Sequence, residues 1–339
     1  MSYYIYYIVT PIVLYLFRKF FLNGPRSPVI RNLKNKIVIV TGSSGGIGQE
    51  TALQLLKNEA IVIFACRDKT KTEKIISDLT TDMRDRSHFI KLDLSSLASV
   101  FEFVKNFKRQ FGSLDILINN AGMSPLKFEL TEDKIENTFQ SNHIGHMVLT
   151  YLLLDYFKSE EGRIINVSGD IYKISNYSVK KFEDLQNNLD YKGIDFSTNV
   201  ESIIEYSNSK LANIYFTNYL GDLLEKKFNH IKTMSLHPGV ISTELMRNAT
   251  GFFYYFRLII SPLFWYCTKT PDMGAQTTLY LCYEFHDKLK NKGYYLDCKE
   301  RKKCNLIEDE DIQNEMIKYS WMLIDRAIEG KFELNKYDI

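Results

Sequence analysis

The sequence predicts a doubly wound α/β fold, a parallel sheet covered by helices on both sides, and three observations carry that expectation. From residue 36 onward, short β-branched runs alternate with longer amphipathic stretches. The runs are apolar throughout rather than at every second position, which is the pattern of strands buried on both faces. A glycine-rich turn stands between the first run and the first helical stretch, at the end of a strand where open α/β sheets bind their ligands.

Taken in order, "KIVIVTG" predicts the first strand and a helix begins at Gly46. "AIVIFAC" and "SHFIKLDL" predict the second and third strands, followed by helices from Thr70 and Ser96 respectively. "LDILINNAG" is the fourth strand, followed by one long helix from Thr131 to Phe157. "GRIINVS", a helix from Ile203 to Lys227 and "IKTMSLHPG" complete the alternation. With no linker or internal repeat, residues 35–339 read as one domain. Two stretches interrupt the pattern: a polar, Asn- and Lys-rich insertion at 170–202, and "GFFYYFRLIISPLFWYC" at 251–267. So greasy a segment outside the sheet lines a substrate pocket, meets a partner, touches a membrane, or packs as a core helix.

Composition excludes several classes. The chain has 339 residues, 45% of them hydrophobic and 25% charged, enough for a substantial core. A net charge of +2 spread along the chain gives no basic stripe for nucleic acid. The five cysteines are scattered and never spaced C-x-x-C, so neither a disulfide framework nor a metal site is expected, and a reducing compartment is. Residues 1–23 are the exception to this evenness. Tyr3 to Phe17 is uncharged and mostly apolar, then meets Arg18 and Lys19, as a membrane anchor would. Pro11 would kink it and it is shorter than the usual span of about 20 residues, so spanning and interfacial anchors both remain open, as does a helix docked on the domain. No basic n-region or small-residue cleavage site marks it as a cleaved signal. If it spans, Arg18, Lys19, Arg26 and Arg31 place the main domain in the cytoplasm.

"TGSSGGIG", Thr41 to Gly48, predicts a dinucleotide-binding turn. Gly42, Gly46 and Gly48 permit a tight turn whose backbone N–H groups, with those of Ser44 and Ile47, approach a pyrophosphate at the positive end of the following helix. The second strand ends "FACRD". Arg67 there suits the 2′-phosphate of NADP and Asp68 the ribose diol of NAD, and the order favours NADP, with NAD the alternative. Asp93 ends the third strand within reach of an adenine edge. Asn120, Ala121 and Gly122 end the fourth in a small-residue turn beside the cofactor. "YSNSK" places Tyr206 and Lys210 on one helix face, where an ammonium would bring a phenol of ordinary pKa about 10 into usable acid–base range.

Thr41-Gly-x-x-x-Gly-x-Gly48, Asn119-Asn-Ala-Gly122, Tyr206-x-x-x-Lys210 and Pro238-Gly239 together resemble the short-chain dehydrogenase/reductase family over residues 35–330, a Rossmann fold. "SNHIGHMVLT", "YSNSKLANIYFT" and "HPGVISTEL" look more narrowly like its retinol dehydrogenase branch. The resemblance implies that Tyr206 is the general acid/base and that Lys210 lowers its pKa and holds the ribose. It makes Asn142 the residue that positions a proton-relay water, and has Pro238, Gly239 and Thr243 hold the nicotinamide carboxamide. His143 and His146 read as structural. The family's catalytic serine is usually the second of a Ser-Ser pair, and here that pair is Ser168-Gly169. Strand alternation would turn Ser168 away from substrate. Three outcomes follow: a bulge re-aims Ser168, a water or a side chain such as Ser175 or Tyr172 substitutes, or turnover is lost.

The activity so implied is that of a membrane-associated NADP(H)-dependent oxidoreductase interconverting an apolar, retinoid-, steroid- or lipid-like alcohol and carbonyl. The expected partners are that small molecule and membrane lipid, with no nucleic acid. The expected location is the endoplasmic reticulum membrane, or alternatively a mitochondrial one, with the domain in the cytoplasm. The competing expectation is a nucleotide-binding, catalytically impaired subunit of a membrane assembly. A homo-oligomer is compatible with either. A nucleotide-sugar epimerase is disfavoured by the glycine spacing and the lack of a large C-terminal sugar domain.

Overall fold

The apolar runs become a single eight-stranded sheet. The structure, a computed structural model, describes residues 24–123, 128–158, 160–187, 199–241 and 268–329, together with Val9, Val13 and Leu334. Strands β1 (Ile37–Thr41), β2 (Ile61–Cys66), β3 (Ser87–Lys91), β4 (Ile116–Asn119), β5 (Gly162–Val167), β6 (Ile231–His237) and β7 (Tyr294–Leu296) are parallel, and β8 (Lys299–Arg301) closes one edge antiparallel to β7. The order is β3-β2-β1-β4-β5-β6-β7-β8, so the direction of winding reverses between β1 and β4. That reversal opens a crevice at the carboxyl ends of the strands.

Strand alternation divides the core in two. Ile39, Ile63, Leu117 and Ile164 are buried in one cluster, with Phe103, Leu149, Tyr215 and Leu323 from the helices on that face. Val40, Phe64, Ile118 and Ile165 point the other way, onto Leu55 and Leu279. The helices of the first face are α4 (Leu97–Gln110), α5 (137–153), α7 (Asn199–Lys227) and α9 (Glu310–Ile328); those of the second are α1 (Gly46–Lys57) and α8 (Pro271–Tyr283). Each buried aliphatic side chain contributes about 1.5–3 kcal/mol. Shorter α2 (Lys69–Ser77) and α3 (Thr81–Asp85) bridge β2 to β3. Local sequence sets the helix starts: Asp68, Ser96, Thr270 and Asp309 each accept a hydrogen bond from a first-turn N–H.

The long helix expected from Thr131 begins later. Thr131 and Ile135 close a turn, Lys134 adopts φ 60°, and Glu136 caps the helix by accepting from Thr138 N and Phe139 N. Composite α5 then runs as an α-turn (Asn137–Phe139), a π-helical turn (Gln140–Ile144) and an α-helix (Gly145–Leu153), ending in 3₁₀ form at Leu154–Tyr156. Apolar periodicity continues through the capping turn because Ile135 is buried there too, so periodicity alone overran the helix start.

The insertion at 170–202 is not merely polar surface. It contains a 3₁₀ turn (Asp170–Ile174) and α6 (Val179–Asn187), and its Phe182 is fully buried between Tyr177 and Tyr319. Residues 188–198 of the insertion, the aromatic stretch 251–267 and all but Val9 and Val13 of the expected anchor lie outside the described residues. Among the described residues, no helix is long and apolar enough to cross a membrane.

Burial pushes the Glu136 carboxyl up to about 7, against 4.5 for an ordinary glutamate. The folded state therefore retains a proton that the unfolded chain releases first, and the stability this contributes is complete below pH 4.5 and lost as pH rises through about 7. The melting temperature of Glu136→Gln is expected to vary less than wild type between about pH 5 and about pH 8. Equal slopes in thermal melts would refute this.

Candidate active site

At the crevice, the turn from β1 to α1 is shaped for close approach. Gly42 takes φ 68°, and a β-carbon there would lie 2.9 Å from Ala121 Cα. At Gly48 a β-carbon would lie 2.4 Å from Asn120 Nδ2 and 2.5 Å from Gly42 O. Gly45 caps α1 without a side-chain hydrogen bond and no acid occupies the first turn. Peptide N–H groups thus face the crevice with the positive end of the helix dipole, in a cradle that suits a pyrophosphate. Gly42, Ser44, Gly46 and Ile47 are partly exposed here and Gly48 is buried beneath.

Thr41 ties this turn to the end of β4. Its Oγ1 accepts from Asn120 N and Ala121 N, both at 2.9 Å, and lies 2.9 Å from His146 Nε2. Asn120 Nδ2 donates to Thr41 O. His146 Nδ1 is 3.0 Å from the carbonyl of Asn142, and burial pushes the imidazole down to about 4, so it is neutral. Asn142, in the π turn, accepts from Met123 N and donates to Met123 O and Ser209 Oγ. Such π turns recur at functional sites because the extra residue re-aims side chains. His146 is therefore the brace of the site as well as a core residue, whereas His143 contacts Ser320 Oγ deep in the core.

Tyr206 and Lys210 lie on α7 beside this turn. Lys210 is buried, its Nζ donates to Val167 O at 3.2 Å, and a β-carbon at Gly122 would be 3.2 Å from it. Its Nζ sits 5.5 Å from the centre of the Tyr206 ring, which is partly exposed. Burial pushes Lys210 down to about 8 and Tyr206 up to about 12. The lowering of the phenol that helix spacing suggested is absent from this geometry, because the ammonium faces Val167 O and desolvation of the phenol dominates.

Ser168 Oγ donates to Lys210 O at 2.6 Å, the turned-away placement that strand alternation predicts, and no bulge re-aims it. Ser175 donates to Asn208 Oδ1 and Tyr172 OH lies 3.5 Å from Cys304 Sγ. At the β2 end, Arg67 is exposed while the Asp68 carboxylate accepts from Lys71 N as a helix cap. Lys71 was not singled out by sequence, yet a β-carbon at Gly45 would be 3.3 Å from its Nζ. It stands four residues after Arg67, in the first turn of α2, the only sequence signal for it. Asp93 is half-buried, with Oδ1 bound by Ser95. Pro238 and Gly239 follow β6, and Thr243 lies outside the described residues. Among the described residues, no group of three His, Cys, Asp or Glu could hold a metal ion.

Fold and site together define a dinucleotide-binding α/β protein with a Tyr–Lys pair at the carboxyl edge of its sheet. The profile of the short chain dehydrogenases matches residues 36–181. The chain is 33% identical to retinol dehydrogenase 14 of Homo sapiens over 89% of its own length and 91% of that protein's. With retinol dehydrogenase 12 of Mus musculus it shares 36% identity, over 87% and 86% of the two lengths. A crystal structure of an uncharacterized protein from Mycobacterium Paratuberculosis superposes with TM-score 0.68 at 26% identity, covering 88% of this chain and 97% of that one. Salutaridine reductase from Papaver somniferum, at 21% identity and TM-score 0.55 over 77% and 99% of the two chains, shares the fold. The chain belongs to the short-chain dehydrogenase/reductase family, in its retinol dehydrogenase-like branch. Its chemistry is accordingly that of an oxidoreductase acting on CH–OH groups with an NAD(P) cofactor.

Gly48→Ala tests the cradle. The added methyl meets Gly42 O, which is backbone and cannot swing away. The dissociation constant for NADPH, read by fluorescence titration, is expected to rise about tenfold or more, equivalent to at least about 1.4 kcal/mol. An unchanged constant would mean that this turn does not hold the dinucleotide.

Proposed function

We propose that the protein is a membrane-associated, NADP(H)-dependent oxidoreductase that interconverts an apolar alcohol and its carbonyl, with Tyr206 as general acid/base. The observation that carries this reading is the buried Lys210 ammonium beneath a partly exposed Tyr206, at the edge where Gly122 and Asn142 close the crevice. When bound, the nicotinamide supplies or accepts the hydride. Tyr206, held protonated at neutral pH by burial, gives its proton to a carbonyl oxygen and recovers it in the reverse direction. Lys210, buried against Val167 O, presents its charge to the nicotinamide ribose, and Asn142 fixes the Ala121–Met123 turn along that path.

NADP is favoured over NAD because one oxygen of the Asp68 carboxylate caps a helix, while the exposed Arg67 at the end of β2 and Lys71, whose Nζ reaches Gly45, supply two cations for a 2′-phosphate. The apolar substrate class is supported by the names of the relatives, retinol dehydrogenases 14 and 12.

Membrane association has support in where the apolar stretches leave the described fold. A β-carbon at Gly24, just after residues 1–23, would be 2.7 Å from Lys269 Nζ. One at Gly239 would be 2.7 Å from Lys269 Cδ, and Ile241 pairs with Lys269 at the two ends of the stretch that contains 251–267. Both greasy stretches therefore depart from one point beside Pro238-Gly239. A mouth facing lipid fits that convergence, and Arg18, Lys19, Arg26 and Arg31 after the apolar stretch favour the cytoplasmic side.

One observation favours the competing reading, a nucleotide-binding subunit of a membrane assembly that no longer turns over. Ser168 is committed to Lys210 O and position 169 carries no side chain. Loss of one such donor typically lowers rate by about 10² to 10³.

NADPH oxidation by the full-length protein in detergent, against a panel of retinoid, steroid and aliphatic aldehydes, separates the two. Tyr206→Phe is expected to lower kcat about 100-fold or more while leaving NADPH affinity within about threefold. Tight NADPH binding with no turnover across the panel would support the subunit reading instead. Combined Arg67→Ala and Lys71→Ala is expected to weaken NADPH binding about tenfold or more and NADH binding little, since each charge-assisted bond is worth about 1.5–3 kcal/mol. Equal loss for both cofactors would refute the 2′-phosphate assignment.

A further inference from the structure

Gly169 and His237 meet one step off register where β5 and β6 end, since the pairing of Val167 with Leu236 sets Ser168 beside His237 and Gly169 beside Pro238. A β-carbon built on Gly169 would have two neighbours within 4 Å among the described residues, Ile171 Cγ2 at 3.8 Å and His237 Nδ1 at 3.9 Å. The backbone of Gly169 is extended (φ −173°), so any residue fits there. A serine β-carbon therefore fits there without a clash, in van der Waals contact with the imidazole.

His237 Nδ1 is buried and has no hydrogen-bond partner among the described residues. Leaving such a group unpaired costs about 1–3 kcal/mol, and an orphan of this kind in a native fold calls for a catalytic role or a bound partner. Burial lowers the proton affinity of the ring; Asp170 and Asp297 oppose that effect while Lys269 and Lys173 add to it. A neutral imidazole offers at Nδ1 either an N–H or a lone pair, according to tautomer. A serine hydroxyl offers the same two capacities. The candidate hydroxyls are engaged elsewhere: Ser168 with Lys210 O, Ser175 with Asn208, Tyr172 with Cys304 Sγ and Tyr294 with Asp170.

We infer that His237 takes the place of the missing serine: its Nδ1 hydrogen-bonds the reacting oxygen of the substrate beside Gly169. The inference rests on the oxidoreductase reading above and names a further residue for that reaction. His237 donates from Nδ1 to the reacting oxygen in both directions, because the single hydroxyl proton of the alcohol points to Tyr206, which alone transfers it.

A four-variant cycle tests it, using wild type, His237→Phe, Gly169→Ser and the double variant, with kcat, KM, NADPH affinity and melting temperature measured for each. His237→Phe is expected to lower kcat about 100-fold in the wild-type background with NADPH affinity retained. In the Gly169→Ser background the same substitution should lower it less than about threefold, because the restored hydroxyl takes over. His237→Gln, which keeps a donor and an acceptor, should retain more activity than His237→Phe and serves if the latter fails to fold. Equal losses in both backgrounds would overturn the inference and make His237 a structural residue. Turnover that appears only with Gly169→Ser would also overturn it, while leaving Tyr206 in its role. No turnover in either wild type or Gly169→Ser, with NADPH bound, would sink the oxidoreductase reading itself.

Discussion

The site depends on one neutral histidine. His146 Nδ1 faces the carbonyl of Asn142, which can only accept, so Nδ1 carries the proton and Nε2 is an acceptor facing Thr41. Thr41 then directs its single proton to His146 or to Ile118 O, 3.2 Å away, while its two lone pairs turn to Asn120 N and Ala121 N. The ends of β1 and β4 and the π turn of α5 are thereby fixed to one another with no freedom of tautomer. A charged imidazole would break this order, because Thr41 would be left facing a third donor with no lone pair to offer. Burial, which pushes His146 down to about 4, is what keeps the brace intact at neutral pH.

A second polar chain runs through the sheet beneath it. Asn119 donates to Thr150 and Asn166, and Asn166 donates to Thr217 and Thr233, linking β4, β5, β6, α5 and α7. Each of these groups is buried, so misplacing one would leave others unpaired at about 1–3 kcal/mol apiece. The pair Tyr206–Lys210 is thus positioned from two directions, by Asn142 through Ser209 and by Asn166 through Thr217. Loosely packed apolar contacts would not specify the crevice in the same way, since they are non-directional.

What was legible in the sequence is whatever repeats with a local period or sits at a fixed offset. The six long parallel strands announce themselves as β-branched runs, and Thr41 to Gly48 announces its turn through glycines that no other residue replaces. Illegible were features decided by tertiary partners. Strands β7 and β8 are three residues each, too short to carry a pattern. The start of α5 turns on a buried carboxylate choosing two N–H groups, and Glu136 looks like any surface glutamate until its burial is known. Phe182 reads as a stray aromatic in a polar insertion, and only the distant Tyr319 makes it core. Lys71 comes near the glycine-rich turn and His237 near Gly169 by contacts across the fold, which their places four residues after Arg67 and just before Pro238-Gly239 signal only weakly.

The pair Ser168-Gly169 shows how one residue of register changes chemistry without changing the fold. Successive strand side chains face opposite ways, so the first position can serve the scaffold while the second faces the crevice. Ser168 does serve it: its hydroxyl binds the carbonyl of Lys210 at 2.6 Å and fastens β5 to the helix that carries the Tyr–Lys pair. Moving that hydroxyl to position 169 would unfasten β5 from α7, since the Lys210 carbonyl would keep only its helical partner. On the proposed oxidoreductase reading, the fold keeps Ser168 for geometry and takes its substrate-side hydrogen bond from another group. Among the groups that a β-carbon at Gly169 would touch, Ile171 has nothing to offer an oxygen, and His237 has an unspent nitrogen.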